Sequence, residues 1–362
     1  MGKLQVGFVG LRRGGGLVRA LSTHPRVEVA ALCDLKEGTL ADMAPDYNLS
    51  DNRLFTAFDD FVNAPLDIVV IATPIEFHAS QSIAALESGK HVLCEQTVAY
   101  TLDECAAVID AQERTGNVYM MAENYCYFHY IRQWRKLISQ GSLGTLFYAE
   151  SEYVHEIADL LRDPETGTPK WRLPRAPIWY CAHTLGPVLM LMDDRIVKAT
   201  GASAGRNMHP EEEGLGHLDM EVGLFQTARG NVVKILRSQV AHRHPHSVYY
   251  SLYGTKGFIE SGRHIEEGAS KGRYFNVETM SKQSGAEEID CPLVDANAPP
   301  EALHGGHGTS EYFMVQDFIA AIDNNTKAPI DAIRAVEFSA PGIVAHEAAM
   351  QGGVWLDVPQ FR

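Results

Sequence analysis

Apolar runs of strand length recur through the first third of the chain: LQVGFVG from Leu4, VEVAALCD from Val27, LDIVVIAT from Leu66, KHVLCE from Lys90 and NVYMMAE from Asn117. Each run is nearly continuous in apolar residues, the pattern of a strand covered on both faces. Residues 17–22, 76–87 and 102–114, lying between runs, carry apolar positions at helical spacing. Strands alternating with helices through right-handed crossovers predict an α/β fold, a doubly wound parallel sheet over residues 1–122.

Beyond Glu123 the pattern changes. FHYIRQWRKLISQG reads as a helix stopped at Gly141, and GTLFYAESEYVHEI then alternates in strand fashion. KATGASAG, MEVGLFQTARGNVVKILRSQVA, HSVYYSLYGTKGFIES and RYFNVETM follow as further strands, with turns at 228–231 and 254–257. Strands in succession without helices between them predict a large, mostly antiparallel open sheet. Helices at 310–324 and 332–351 close the chain. Residues 123–362 are thus expected to form a second α/β domain, with its closing helices near the domain interface and a cleft between it and the first.

Composition narrows the partners. A chain of 362 residues with 45% hydrophobic and 21% charged residues fits two folded domains. Its 31 basic and 46 acidic residues leave a net charge of -15. Such a surface repels phosphate backbones and anionic lipid, so neither nucleic acid nor membrane is expected as a partner. No 18 consecutive apolar residues occur, and MGKLQVGFVG carries no leader pattern. The six cysteines, at 33, 94, 105, 126, 181 and 291, form no CxxC pair or zinc spacing. Buried free thiols in a reducing cytoplasm are expected.

Candidate chemistry gathers at the strand ends. VGFVGLRRGGG leaves a strand through glycines and enters a helix, as a dinucleotide-binding turn does. Counted against G-x-G-x-x-G from Gly10, Arg12 takes the second glycine position and Gly15 the third, with Arg13 and Gly14 between them. Asp34 ends the second strand 24 residues after Gly10, where an acid binds the ribose hydroxyls and repels a 2′-phosphate, favouring NAD over NADP. The alternative for Asp34 is a helix N-cap. Thr73 and Pro74 end the next buried strand. His78 follows on the first turn of a helix, as a cofactor contact or a surface-facing helix histidine. HVLCEQTVAY raises a separate question: Glu95 and Gln96 are poor core residues at the end of a buried strand, and they make sense if that end faces a ligand.

Together these residues resemble the Gfo/Idh/MocA family of NAD(P)-dependent oxidoreductases. VGFVGLRRGGG, CD, IATPIEFHA, ALESGKHVLCEQTVAYTLDE and WLDVPQF carry the resemblance across essentially the whole chain. It implies a Rossmann domain, a substrate domain with an open sheet, and oxidation or reduction of a carbohydrate or related polyol. In that family the fifth strand usually ends Glu-Lys-Pro. Glu95-Gln96-Thr97 replaces it, and glutamine orients by hydrogen bonds without exchanging a proton. MMAENYCYFHYIRQWRKLISQGSLGTLFYAESEYVHEI, WRLPRAPIWYCAHTLGPVLML and GGHGTSEYFMVQDFIAAI are similar to the NAD-dependent glycosidases of this superfamily, of the α-N-acetylgalactosaminidase type. That branch implies oxidation at sugar C3, elimination across C2–C1, hydration and return of hydride.

Matching that branch implies catalytic roles for Glu123, Tyr153, His155, Tyr180, His183 and His307. His183 is the leading base, since an imidazole takes and returns protons near neutral pH. Period-two alternation puts Tyr153 and His155 on one strand face. Asn124 is read as a cofactor or sugar contact, and Trp171 with Arg172 as a cover for the nicotinamide or a hold on substrate. Structural alternatives stand beside these: a satisfied sheet histidine for His155, an arginine partner for Glu123, a helix cap for His183 and a flexible glycine loop for His307. The HRHPH run, His242 to His246, reads as an exposed, proline-broken turn, and no metal set is expected. RAPIWYCAHTLGP replaces a longer asparagine-containing segment of the glycosidases, so amino-sugar specificity does not carry over. The resulting reading is an NAD-dependent oxidoreductase of a small-molecule sugar or glycoside. A redox-neutral glycosidase is the alternative and a non-catalytic NAD-bound sensor the third. Self-association through the C-terminal sheet follows from the family.

Overall fold

The computed structural model describes residues 2–266 and 268–361, without the Arg13 side chain. Two compact units form: one takes the chain up to Tyr127 together with Ala296–Val336, the other Phe128–Asp295 together with Glu337–Gln360. The late segment Ala296–Val336 thus returns to the unit formed by the start of the chain.

In the first unit β1 (Leu4–Val9), β2 (Val27–Cys33), β3 (Leu54–Phe55), β4 (Ile68–Ile71), β5 (His91–Glu95) and β6 (Tyr119–Ala122) make one sheet in the order β3-β2-β1-β4-β5-β6. Every neighbouring pair is parallel. All four residues of β4 have no solvent exposure, which is why their run shows no alternation. The helices are α1 (Leu11–Ser22), α2 (Glu37–Met43), α3 (Phe58–Val62), α4 (His78–Glu87) and α5 (Leu102–Thr115). α5 begins with a capping box between Thr101 and Glu104 and ends at left-handed Gly116. α1 starts six residues before its apolar spacing becomes visible, because Gly14, Gly15 and Gly16 carry no side chain to show it.

The second unit holds α6 (His129–Ser139) and α7 (Ala182–Met192) with a nine-stranded sheet. Its strands are β7 (Leu146–Val154), β8 (Ile196–Ser203), β9 (Glu221–Thr227), β10 (Val232–Ser238), β11 (Ser247–Gly254), β12 (Gly257–Glu260), β13 (Ala269–Asn276), β14 (Glu287–Pro292) and β15 (Leu356–Asp357). They lie in the order β14-β13-β12-β11-β7-β10-β9-β8-β15. The sheet is antiparallel except where β7 runs parallel to β10. The α/β class with a doubly wound sheet and a mostly antiparallel open sheet is borne out. β14 and β15 had no sequence signal: the first is largely acidic and the second has two residues.

α8 (Ser310–Asp323) closes onto the first unit, where the Arg26–Asp323 ion pair (2.6 Å) holds it. Ile330 extends the same attachment by accepting a bond from Met121 N–H (2.9 Å). α9 (Ala332–Met350) is divided between the units after Val336. Among the described residues no helix is long and apolar enough to cross a membrane.

Candidate active site

The carboxyl ends of β1, β2, β4, β5 and β6 carry Gly10, Asp34, Thr73, Glu95 and Glu123 along one sheet edge, where doubly wound folds bind ligands. Gly10 is left-handed, with φ 84°. A Cβ there would lie 2.6 Å from the Ala72–Thr73 backbone, so the turn needs glycine twice over. The close helix–strand packing required of the third fingerprint glycine falls to Gly14, whose added Cβ would sit 2.9 Å from that of Ala72. Gly15 faces only the flexible end of Arg19. Arg12 is exposed in the first turn of α1; the Arg13 side chain lies outside the described residues.

Asp34 does not cap α2, whose N-cap is Lys36 without a side-chain bond. Its carboxylate instead accepts Leu11 N–H (2.9 Å) and Lys36 N–H (3.0 Å), fastening the glycine turn to the end of β2. His78 is not surface-facing either. It is 1% exposed, and its two ring nitrogens lie 2.7 Å from the Thr97 carbonyl and 2.8 Å from the Thr73 carbonyl. It thereby ties the ends of β4 and β5 together. Thr73 Oγ1 donates to Gln81, Pro74 starts the turn into α4, and the Gln96–Thr97 peptide, with Gln96 buried, is cis. A positive-φ turn with no room for a Cβ, the amides of a helix start and an acid at the end of β2 together fit a dinucleotide.

A charged cluster adjoins Gln96. His307 Nδ1 lies 2.6 Å from Glu311 Oε1, and Glu311 Oε2 accepts His307 N–H (3.3 Å). Asn124 donates to the same Glu311 (3.0 Å), and Glu123, fully buried, accepts Tyr125 N–H (3.2 Å). His307 is thus anchored by a carboxylate rather than adrift in a glycine loop. Burial works against its imidazolium, but Glu311, Glu95 and Glu123 more than offset it and raise its pKa. Burial pushes the Glu95 carboxyl up to about 7, against the pull of His307 and with the help of Glu123 and Glu311.

The second unit gathers four of the expected residues. The His183 ring meets Tyr153 and Tyr180 edge to face, with centroids 5.5 and 5.4 Å away. Tyr153 Oη lies 2.8 Å from His155 Nδ1, as their shared strand face requires. α7 is placed by a consequence of its own sequence. Pro187 has no N–H for the carbonyl four residues back, which belongs to His183. The buried Tyr250 hydroxyl supplies that bond, and Ser151 Oγ donates to the next carbonyl, Thr184 (3.1 Å). The N-cap of α7 is Cys181, and His183 is the second residue inside the helix.

Arg172 stacks on Trp171, with its guanidinium carbon 3.9 Å from the ring centroid. Sequence reasoning passed over several neighbours. Arg175, 2% exposed, lies 4.2 Å over the Tyr180 ring, and Arg237, 3% exposed, lies 4.4 Å over Tyr153. His246 packs on His155 at 4.8 Å. His242 and His244 are exposed and each bonds a different oxygen of Glu156. Among the described residues no group of three or more His, Cys, Asp or Glu is arranged to hold a metal ion. The expected catalytic set therefore falls into two groups, Glu123 and His307 in the first unit and Tyr153, His155, Tyr180 and His183 in the second.

Residues 4–123 match the NAD-binding Rossmann fold of an oxidoreductase family, and residues 130–362 match the C-terminal domain of glycosyl hydrolase 109. A glycosyl hydrolase family 109 protein of Shewanella baltica is 27% identical, over 100% of this chain and 85% of its own. One from Shewanella putrefaciens is equally similar. Among solved structures, an oxidoreductase domain protein from Kribbella flavida superposes with a TM-score of 0.83 at 20% identity, covering 99% of this chain and 100% of its own. Levoglucosan dehydrogenase, in complex with NADH and levoglucosan, gives 0.82 at 19% with the same coverage. At such identities these structures speak for the fold alone. The chain belongs to the glycosyl hydrolase 109 family, with that family's C-terminal domain following an NAD-binding oxidoreductase Rossmann fold.

Proposed function

We propose that this NAD-linked oxidoreductase removes hydride from a ring hydroxyl carbon of a sugar or glycoside, at C3, and that it uses NAD rather than NADP. The observation that carries the reading is His183 held between the rings of Tyr153 and Tyr180. Alcohol oxidation needs a group to receive the hydroxyl proton as the carbon gives up hydride, and an imidazole among phenols meets that need.

NAD, when bound, supplies the hydride acceptor. Gly10, Gly14, Gly15, Arg12, Asp34, Thr73, Pro74, Gln96 and Asn124 are the residues we assign to holding it, and the Asp34 carboxylate disfavours a 2′-phosphate. His183 takes the hydroxyl proton, Tyr180 orients that hydroxyl, and the Tyr153–His155 pair bonds the same sugar. Gln96 orients without exchanging a proton. Glu123 and the Glu311-anchored His307 supply further acid–base groups, and the Trp171–Arg172 stack offers a flat face for substrate or nicotinamide.

A second reading, the redox-neutral glycosidase, is favoured by the match to the glycosyl hydrolase 109 domain. A ketone at C3 acidifies the C2 hydrogen. His183 or Tyr180 removes that proton, the C1 substituent departs, water adds, and the ketone recovers the hydride that C3 gave up at the start together with a proton. Incubation with a panel of glycosides, following free aglycone and reduced nicotinamide together, tests both. Net reduced nicotinamide supports the dehydrogenase; aglycone without it, with deuterium uptake at C2, supports the glycosidase. Neither signal from an NAD-bound protein would leave a sensor and refute both enzymatic readings.

Two lesser assignments accompany this. Leu224 (39% exposed) and Val232 (40% exposed) share one face of the second sheet with Tyr148, an apolar surface suited to self-association and testable by sedimentation. Cys33, Cys94, Cys105, Cys126, Cys181 and Cys291 are buried free thiols, in keeping with a reducing cytoplasm.

A further inference from the structure

The hairpin of β9 and β10 carries an arginine and a glutamate where alternation calls for apolar side chains. Val233, Ile235 and Arg237 point to the covered face, and so do their cross-strand partners Phe225, Gly223 and Glu221. Arg237 is 3% and Glu221 1% exposed. Burying such a pair costs several kcal/mol per ion before its contacts repay it, and an apolar pair would fill the space more cheaply.

Both side chains converge on one peptide group. Glu221 Oε2 accepts the N–H of Ile178 (3.0 Å), and Arg237 Nε donates to the C=O of Pro177 (3.4 Å). These are the two poles of the Pro177–Ile178 peptide, so the hairpin grips it from both sides. The other Glu221 oxygen is fixed by His346 Nδ1 (2.7 Å), whose ring is faced by Trp179 at 5.5 Å. The gripped peptide opens a single helical turn, Pro177–Tyr180, that ends at the phenol beside His183. The Arg237 guanidinium lies 4.4 Å over the Tyr153 ring and 5.5 Å from that of Tyr180.

We propose that Arg237 and Glu221 are positioning residues that lock the 177–180 turn, and with it the Tyr180 ring, against His183. This rests on the proposed role of Tyr180 and His183 in proton transfer, although the lock itself is a statement about ring placement. The test places fluorotyrosine at position 180 and reads fluorine NMR and steady-state kinetics in the wild-type background and in Glu221→Leu, Arg237→Met, Glu221→Gln and Arg237→Lys.

The leucine and methionine variants are expected to shift or broaden the fluorine line and to lower kcat about 100-fold, with KM little changed, since small misplacements of a reacting group cost that much. Glu221→Gln keeps an acceptor for Ile178 N–H and is expected to keep the wild-type line. Should the first two fail to fold, Arg237→Lys, which retains the charge and loses the Nε donor, is expected to move the line by itself. A line unmoved in every folded variant lacking the grip overturns the proposal, whatever the activity. A line that moves while the wild-type protein oxidises no sugar upholds the lock and refutes the enzymatic reading.

Discussion

Replacing Glu95 by glutamine isolates the charge at the end of β5 with almost no change of shape. Burial raises this carboxyl from 4.5 to about 7, so the folded state holds its proton more tightly than the unfolded chain. The contribution to stability is therefore complete below the unfolded pKa and disappears as pH rises through about 7. Integrated from pH 5 to pH 8, the loss is at most about 2–3 kcal/mol, an upper figure because Glu95 keeps some contact with solvent. The glutamine variant has no proton to lose at this position and stays in the state that Glu95 occupies at low pH. Urea unfolding of both proteins, followed by far-ultraviolet circular dichroism across this range, should show Glu95→Gln gaining stability over wild type as pH rises. Groups that titrate in both proteins largely cancel in the difference. Parallel stability–pH curves would refute the reasoning, by showing that Glu95 ionises as an ordinary solvated carboxylate.

Tyr250→Phe removes the hydroxyl that donates to the buried His183 carbonyl and should cost about 1–3 kcal/mol. Fluorescence unfolding reads this in the right place, since Trp134, Trp171, Trp179 and Trp355 all lie in the second unit. Adding Pro187→Ala restores a helical N–H at that position and should recover most of the loss; a strictly additive double mutant would contradict the explanation. Gly14→Ala drives a methyl into Ala72 and should cost roughly 1–3 kcal/mol, whereas Gly15→Ala meets only a movable arginine tip and should gain up to about 1 kcal/mol of helix stability. Thermal unfolding of the two variants that ranks them the other way would refute this assignment of the glycines.

Much of the first unit was legible because parallel strands buried on both faces leave unbroken apolar runs, and their ends locate Gly10, Asp34, Thr73, Glu95 and Glu123 directly. The Tyr153–His155 contact followed from strand alternation alone. Less was legible where long-range pairing decides. Nothing local shows that Asp323 meets Arg26 or that Ile330 meets Met121, so the return of residues 296–336 to the first unit was hidden. Asp34 and His78 bond backbone groups brought to them by the fold, which made their alternative readings plausible in sequence and wrong in space. Other signals were present but unused. Glu311 follows His307 by four residues, and Arg237 sits in phase with Val233 and Ile235, an inward position where a charge requires a partner.

The central claim, hydride transfer from a sugar carbon under proton transfer by the His183 cluster, is tested most directly in a single turnover. Enzyme saturated with NAD is mixed with an accepted sugar or glycoside carrying deuterium at C3, and the appearance of reduced nicotinamide is timed against the unlabelled compound. The account predicts that reduced nicotinamide forms, that C3 deuterium slows its formation, and that His183→Gln abolishes it. Formation equally fast from both compounds, or none from any carbohydrate while NAD is demonstrably bound, would contradict it.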